Sequence, residues 1–185
     1  GSGATFNISG AVISGNAASS DGGAIHANCI VNIEDTAFEN NSASNGGAIN
    51  INGGGILSLS GCTFTGNSAS GQGGALRLDG STSFGERTTV FAGNTANRGG
   101  AVYVASENNA RRVTLSSAEF IGNTAWEGGA VYIYGHAALG SDGTALKIAG
   151  EGNGSSAIHI AENANLSDIA GTLSLDGGVT MYSPL

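Results

Sequence analysis

A motif of about six fixed positions recurs five times along the chain and constrains the fold more than any other feature. Each copy has an apolar residue, an asparagine three positions later and an alanine two positions after that. Gly-Gly-Ala and an aliphatic residue follow, with the glycine pairs at 22–23, 46–47, 73–74, 99–100 and 128–129. Successive pairs are 24 to 29 residues apart. A repeat of this length is typical of solenoids, in which neighbouring repeats bury one another's apolar faces.

Short alternating segments in each copy predict β-strands. Apolar and polar residues alternate directly after the glycines, as in the stretch Val-Tyr-Val at 102–104. A second apolar pair precedes the aromatic residue by seven and five positions, as Leu57 and Leu59 precede Phe64. Phe84 and Glu86 occupy these places in the fourth copy, so we expect a distorted coil there. The pattern predicts an all-β parallel β-helix of about seven three-stranded coils, each adding roughly 4.8 Å along the axis.

In a parallel β-helix, equivalent residues of successive coils stack on one another. The aromatic position would form an internal column, and the asparagine amides would bond from coil to coil at the following corner. The glycines would allow the tight corner after it. We therefore interpret the motif as architectural, with a predicted structural ladder of Phe38, Phe64, Phe91, Phe120, Asn16, Asn41, Asn67, Asn94 and Asn123.

The repeat is regular over most of the chain and loose in its last part. We predict one β-helical unit over residues 1–185, with regular coils at 4–135 and degenerate coils at 136–185. In the degenerate part, Ile158 to Ile160 and Val179 to Met181 resemble worn copies of the strand after the glycines. Because no polar cap is evident at the last residues, we expect this chain to be a piece of a longer protein.

Composition and charge exclude several kinds of partner. The chain of 185 residues contains 33 glycines, but 40% of its residues are hydrophobic and 11% are charged, which indicates a folded protein. A net charge of −8 with 6 lysines and arginines argues against nucleic acid and against docking on anionic lipid. No apolar run is long enough to span a bilayer, so we expect no membrane insertion by this chain.

The repeat units resemble those of a known family. The stretches FENNSASNGGAI, FTGNSASGQGGAL, FAGNTANRGGAV and FIGNTAWEGGAV are similar to the FxxN and GGA(I/L/V) repeats of the chlamydial polymorphic outer-membrane proteins. Repeats of this kind also occur in other bacterial surface proteins, and the resemblance covers residues 13–135. It implies a right-handed β-helix, an autotransporter passenger that mediates adhesion to host cells, and a location at the bacterial cell surface or outer membrane, or secretion.

The sequence does not predict a catalytic or metal site. The carboxylates are scattered, and Glu34 and Asp35 are adjacent, so that they face opposite sides of a strand. His26 and His159 share an outward strand position but lie about five coils apart, roughly 24 Å at the strand spacing. We therefore predict no cofactor and no enzyme activity. Cys29 and Cys62 occupy different positions of their coils, so we expect two small buried residues, with a disulfide as the alternative.

Two features point to a binding surface. The outward positions of the strand after the glycines include Arg77, Tyr103 and Tyr132, with Tyr134 in the next outward position. Trp126 stands where other copies have small polar residues, so we expect it on an exposed corner. Tyrosine and arginine, like tryptophan, are enriched in binding hot spots. The alternatives are that the tyrosines stabilise their own sheet and that Trp126 packs against the longer insert at 135–145.

The function that we favour is a surface adhesin, a stiff β-helical stalk that binds a host cell-surface protein or a glycan receptor. The alternative is a structural surface scaffold that oligomerises through the edges of its terminal coils, so that the partner is a second copy of the chain. A carbohydrate-active enzyme is a remote alternative.

Overall fold

The computed structural model describes residues 3–105, 113–139, 146–148, 157–162, 164–169, 173–175 and 179–181. These residues form β-strands, turns and bends and contain no helix. The chain winds through three parallel sheets in a fixed order, so that each circuit forms one coil of a solenoid. The predicted all-β parallel β-helix is therefore confirmed. About five regular coils lie within residues 5–133, and strands of further coils follow. The handedness stays a prediction.

The first strand of every coil belongs to the first sheet. In spatial order it contains β1 (Thr5–Ser9), β4 (Ile30–Glu34), β8 (Ile56–Ser60), β12 (Ser81–Phe84), β15 (Val113–Leu115), β18 (His136–Leu139) and β21 (Asn165–Ile169).

The second sheet carries the aromatic position of the motif. It contains β2 (Val12–Ser14), β5 (Ala37–Glu39), β9 (Thr63–Thr65), β13 (Thr89–Ala92), β16 (Ala118–Ile121), β19 (Leu146–Ile148) and β22 (Leu173–Leu175).

The third sheet is formed by the strands that follow the glycine pairs. It contains β3 (Ile25–Ala27), β7 (Ile49–Ile51), β11 (Leu76–Leu78), β14 (Val102–Val104), β17 (Val131–Ile133), β20 (Ile158–Ile160) and β23 (Val179–Met181).

Two coils contain a fourth strand that the sequence analysis missed. Strands β6 (Ser42–Asn45) and β10 (Ser68–Gln72) pair in parallel at the corner between the asparagine and the glycines. Single bridges continue this pairing in the other coils, for example between Arg98 and Glu127. The prediction of three strands a coil is thus approximate, because the corner is itself regular enough to pair with the corner of the next coil.

The aromatic column fills the centre of the solenoid. Phe38, Phe64, Phe91 and Phe120 pair in register across the second sheet and are 0% exposed. Successive ring centroids lie 4.9 Å apart and the rings are nearly parallel. This spacing equals the distance between hydrogen-bonded strands, so backbone pairing and ring stacking reinforce each other.

The fourth coil has a different register from the predicted one. Thr82 pairs with Leu57 and Phe84 with Leu59, so these two residues occupy the inward positions of the first sheet. They precede Phe91 by nine and seven residues instead of seven and five. The expected distortion of this coil is confirmed, since residues 85–88, which include Glu86, form an exposed insertion between the strands. A carboxylate in the apolar interior would be costly, and the insertion avoids this by shifting the strand.

Candidate partner-binding site

The asparagines of the repeat form a column inside the solenoid. Asn41, Asn67, Asn94 and Asn123 are 0% exposed. Each Oδ1 accepts the backbone N–H and one amide N–H of the asparagine in the preceding coil, at 2.9 to 3.0 Å. The other amide N–H donates to a carbonyl of the preceding coil, such as that of Phe38 from Asn67. These side chains are fully used and lie too deep to contact a partner.

The glycine pair is explained by the space at the corner. The first glycine of each pair has a positive φ, as in Gly73 with φ +66°. At the second glycine a Cβ would meet backbone of the next coil, since at Gly74 it would lie 2.0 Å from the carbonyl oxygen of Gly100. Both glycines are therefore required by the chain's own packing, and the motif makes no contact surface of its own.

The predicted outward column of the third sheet forms as expected in register. His26, Asn50, Arg77, Tyr103 and Tyr132 pair strand to strand, and His159 extends the column.

The tyrosines of this column are buried, whereas we expected them on an exposed face. Tyr103 and Tyr132 are 4% and 6% exposed. Their rings stack at 5.1 Å, Tyr132 stacks on His159 at 4.5 Å, and the Arg98 guanidinium lies 5.7 Å from the Tyr132 centroid. The stacked neighbours cover the ring faces, which a sequence reading of outward positions does not reveal. This agrees with the alternative in which the tyrosines stabilise their own sheet.

Burial also changes the acid–base properties of the column. It raises the pKa of Tyr103 to about 12. It lowers the pKa of His159, because the charged imidazolium is disfavoured away from water. Burial therefore favours the uncharged forms of both Tyr103 and His159.

The other two residues predicted for this face are half-buried. Arg77 donates from Nε to Oε1 of Gln72 at 2.9 Å and lies 3.4 Å from Oδ1 of Asn50. Tyr134 packs beside the small apolar cluster of Tyr103, Tyr132 and Ala161. Both side chains contact other residues of the solenoid, so they offer a partner less surface than we predicted from the sequence.

Trp126 is the predicted contact residue that the structure leaves open to solvent. It is 86% exposed, the most exposed of the large hydrophobic side chains in the described residues. Its backbone N–H donates to the carbonyl of Asn97 in the preceding coil, which fixes the corner that carries the indole. The alternative was that Trp126 packs against the insert at 135–145. Part of this insert lies outside the described residues, and the part that is described leaves the indole exposed.

A groove runs beside the Trp126 indole across four coils. It has a volume of about 570 Å³ and is lined by Asn45, Gly71, Gln72, Asn97, Arg98, Trp126 and Glu127. We call it the Trp126 groove. Apart from Trp126, none of the lining residues was among the predicted contact residues.

The lining residues nevertheless have a sequence signal. Asn45, Gln72, Arg98 and Glu127 each stand immediately before a glycine pair, and corner bridges place them one above the next. The polar residue before each pair thus forms a column of its own. This column could have been found by aligning the repeats on the glycines as well as on the phenylalanines.

One ion pair lies at the end of the groove. Arg98 Nε donates to Glu127 Oε2 at 2.7 Å in a surface ion pair. The carboxylate of Glu127 raises the pKa of the Arg98 guanidinium. The two charges cancel, so the groove presents polar groups without a net charge.

A second groove of about 600 Å³ follows the outer face of the first sheet. Its outward side chains are amides, hydroxyls and the Glu34 carboxylate. Asn32 donates to Asn7 at 2.9 Å, and Ser83 lies 3.5 Å from Ser58. Arg87 bridges from the inserted segment of the fourth coil to Glu34 and Asp35 in the second. The groove lacks an exposed aromatic anchor among the described residues, so the Trp126 groove is the better contact candidate.

The described residues hold no cluster of three or more histidines, cysteines, aspartates or glutamates that could bind a metal. Cys29 and Cys62 are both free thiols, so the alternative of a disulfide is wrong. Cys62 is buried and Cys29 is half-buried. Burial raises the pKa of the Cys62 thiol, so this cysteine is unreactive at neutral pH.

Comparison with known proteins identifies the repeat. The family model described as the Chlamydia polymorphic membrane protein repeat matches residues 10–28, 35–52, 61–78 and 88–105. Comparisons with curated proteins and with solved structures gave no match. Within the described part of the chain, no helix has the length and apolar character needed to cross a membrane. The fifth copy, from Phe120 to Val131, lies outside the matched stretches but stacks in register on the fourth. The chain therefore carries the repeat of the Chlamydia polymorphic membrane protein family across residues 10–105.

Proposed function

We propose that this chain is part of a bacterial surface adhesin and that the Trp126 groove contacts the host cell. The repeat family and the β-solenoid fit a surface autotransporter passenger fragment, and the family implies a location at the bacterial outer membrane or surface. Both findings support a structural surface protein. A stiff solenoid suits this role because it holds a contact site at a fixed distance from the cell that displays it.

The observation that carries the proposal is the exposure of Trp126. The equivalent residues of the other copies are Ser19, Ser44, Ser70 and Asn97, all small and polar. An indole that is 86% exposed lies outside the packed core of the solenoid. Tryptophan is among the residue types most enriched in binding hot spots. A large aromatic group at a corner that otherwise carries small residues is therefore best explained by a partner.

The test is saturable binding of the labelled fragment to cultured epithelial cells. The proposal predicts that unlabelled fragment competes for the sites and that Trp126→Ala weakens binding at least tenfold. Ile121→Ala is the matched control, because Ile121 lies in the same coil and is 41% exposed on the second sheet. This control should bind like the parent. Equal binding by all three proteins would place the contact elsewhere, and the absence of saturable binding would remove the adhesin proposal.

Self-association is the second candidate function. The parallel strand pairing that stacks each coil on the next could also join two chains end to end, which favours a structural surface scaffold. Sedimentation velocity at increasing concentration tests this candidate. A mass that rises with concentration supports a scaffold, and a constant monomer mass excludes it.

A further inference from the structure

We propose that the Trp126 groove recognises an uncharged pyranose sugar of a host-cell glycan. The inference rests on the proposed function, because it names the chemistry of the contact that the adhesin makes. It is carried by three observations on the described residues of the groove: an exposed flat ring, hydrogen-bonding groups without partners beside it, and the absence of net charge.

The first observation is the ring itself. The Trp126 indole is 86% exposed and stands at the side of a groove of about 570 Å³. This volume lies within the range of about 300–1,000 Å³ that is usual for small-ligand sites. One face of a pyranose is formed by C–H groups and is flat and apolar. Such a face covers an exposed indole with little conformational cost, since both groups are rigid.

The second observation concerns the amides of the groove. Gln72 accepts from Arg77 through Oε1, and Asn97 donates from Nδ2 to the carbonyl of Ser70. Across the described ranges, Gln72 Nε2 and Asn97 Oδ1 make no hydrogen bond. One amide thus offers two donors and the other offers acceptor lone pairs.

The free amide groups of Gln72 and Asn97 suit a ligand with hydroxyl groups, because a hydroxyl both donates and accepts hydrogen bonds. The existing bonds hold the two amides in place, so their free groups are already oriented before a ligand arrives. Fixed donors and acceptors beside an apolar surface are the usual means of binding small polar ligands.

The third observation is the charge of the groove. Arg98 is the one cationic side chain among its lining residues, and it donates to Glu127 at 2.7 Å. The chain as a whole has a net charge of −8. An acidic sugar would therefore face a neutralised arginine and a repulsive surrounding field. A neutral sugar meets no such opposition.

The cell-binding assay tests the sugar chemistry directly. Mild periodate oxidation of the cells cleaves sugar diols and leaves the proteins in place, and we expect it to reduce binding at least tenfold. Sialidase should leave binding unchanged. Binding that survives periodate would overturn the sugar inference and leave the adhesin intact, and loss of binding after sialidase would show an acidic sugar and overturn it as well. Trypsin separates the sources, since only glycolipid binding survives it.

A second measurement keeps the two proposals distinguishable. Trp126 is the only tryptophan of the chain, so selectively excited tryptophan fluorescence reports on this groove alone. Neutral glycans released from the same cells should shift the emission saturably, and sialylated glycans and heparin should not. Asn97→Ala retains the indole and removes an acceptor, so its dissociation constant should rise at least tenfold. If cells do not bind the fragment, a saturable shift still supports the sugar inference, and no shift overturns it.

Discussion

The side chains of Asn67 and Asn94 form a hydrogen bond of 3.0 Å between successive coils, and both residues are 0% exposed. The same amide of Asn67 donates to the carbonyl of Phe38, which belongs to the stacked aromatic column. Asparagine and phenylalanine of the repeat are thus linked through the backbone of neighbouring coils. This arrangement explains why their spacing is constant while the rest of the unit varies in length.

Asn67→Ala should lower the free energy of unfolding by about 2–4 kcal/mol. Each buried polar group left without a partner costs about 1–3 kcal/mol, and this change affects the N–H groups of Asn41 as well as the Phe38 carbonyl. Chemical denaturation followed by circular dichroism measures the loss. Asn16→Ala is the control, since Asn16 has the same place in the motif but is exposed, and it should cost less than about 1 kcal/mol. Equal costs would show that the buried ladder contributes no stability.

Thr89→Val should stabilise the protein by about 1 kcal/mol. The Thr89 hydroxyl is buried and makes no hydrogen bond in the described residues, and burying such a group costs roughly 1–3 kcal/mol. Thr36 occupies the same column and donates to the Glu34 carbonyl at 2.8 Å. Thr36→Val should therefore destabilise by about 1 kcal/mol. Thermal unfolding of both variants checks the pair, and a shift of the same sign in both would contradict the account.

Gly74→Ala should destabilise by at least about 4 kcal/mol or prevent folding, since backbone clashes of this kind belong to the most damaging substitutions. Its Cβ would lie 2.0 Å from the Gly100 carbonyl oxygen and 2.7 Å from the backbone nitrogen of Thr95. Gly93→Ala is a matched comparison, because Gly93 has φ +62° but nothing within 4 Å of its Cβ position. It should cost only about 1–2 kcal/mol, from the left-handed backbone alone. Chemical denaturation of the two variants checks this. Equal midpoints would refute the explanation that the backbone contact at Gly74 excludes a side chain.

Alkaline pH should weaken the fold through Tyr103. Burial raises the pKa of Tyr103 from 10.0 to about 12. Below pH 10 both states keep the phenolic proton, so Tyr103 adds no pH dependence there. Between pH 10 and 12 the unfolded chain loses this proton first, and the free energy of unfolding falls as pH rises. Tyr103→Phe should lessen that fall in denaturant titrations across this range, and an unchanged slope would exclude the assignment.

The sequence was sufficient to predict what stacks along the axis. Phe64 on Phe91 and Tyr103 on Tyr132 both follow from aligning the repeats, because a parallel register repeats the same residue position at every coil. The burial of Tyr132 could not be predicted, since it depends on how Arg98 folds over the neighbouring sheet. Periodicity fixes the order of residues along a column but does not fix contacts around a corner.

The candidate site was predictable only in its most unusual residue. Trp126 stands out because its equivalents are small, whereas Gln72 and Asn97 are ordinary polar residues in a glycine-rich, asparagine-rich chain. Their role in the groove depends on which amide atoms remain unbonded, and that requires the geometry of neighbouring coils. The distortion of the coil before Phe91 was predicted, but the new register of its first strand was not, since it depends on where the insertion lies.

The most direct test of the account is to measure, on the same samples, cell binding and unfolding for Trp126→Ala and Asn67→Ala. The motif residues build the solenoid, and the proposed contact lies at a residue outside the motif. We predict that Trp126→Ala weakens binding at least tenfold while its unfolding midpoint stays that of the parent. Asn67→Ala should lower the midpoint, and its folded fraction should bind with the parent's dissociation constant. Two results would contradict this division of roles. One is a folded Trp126→Ala that binds as tightly as the parent, and the other is a folded Asn67→Ala that binds more weakly.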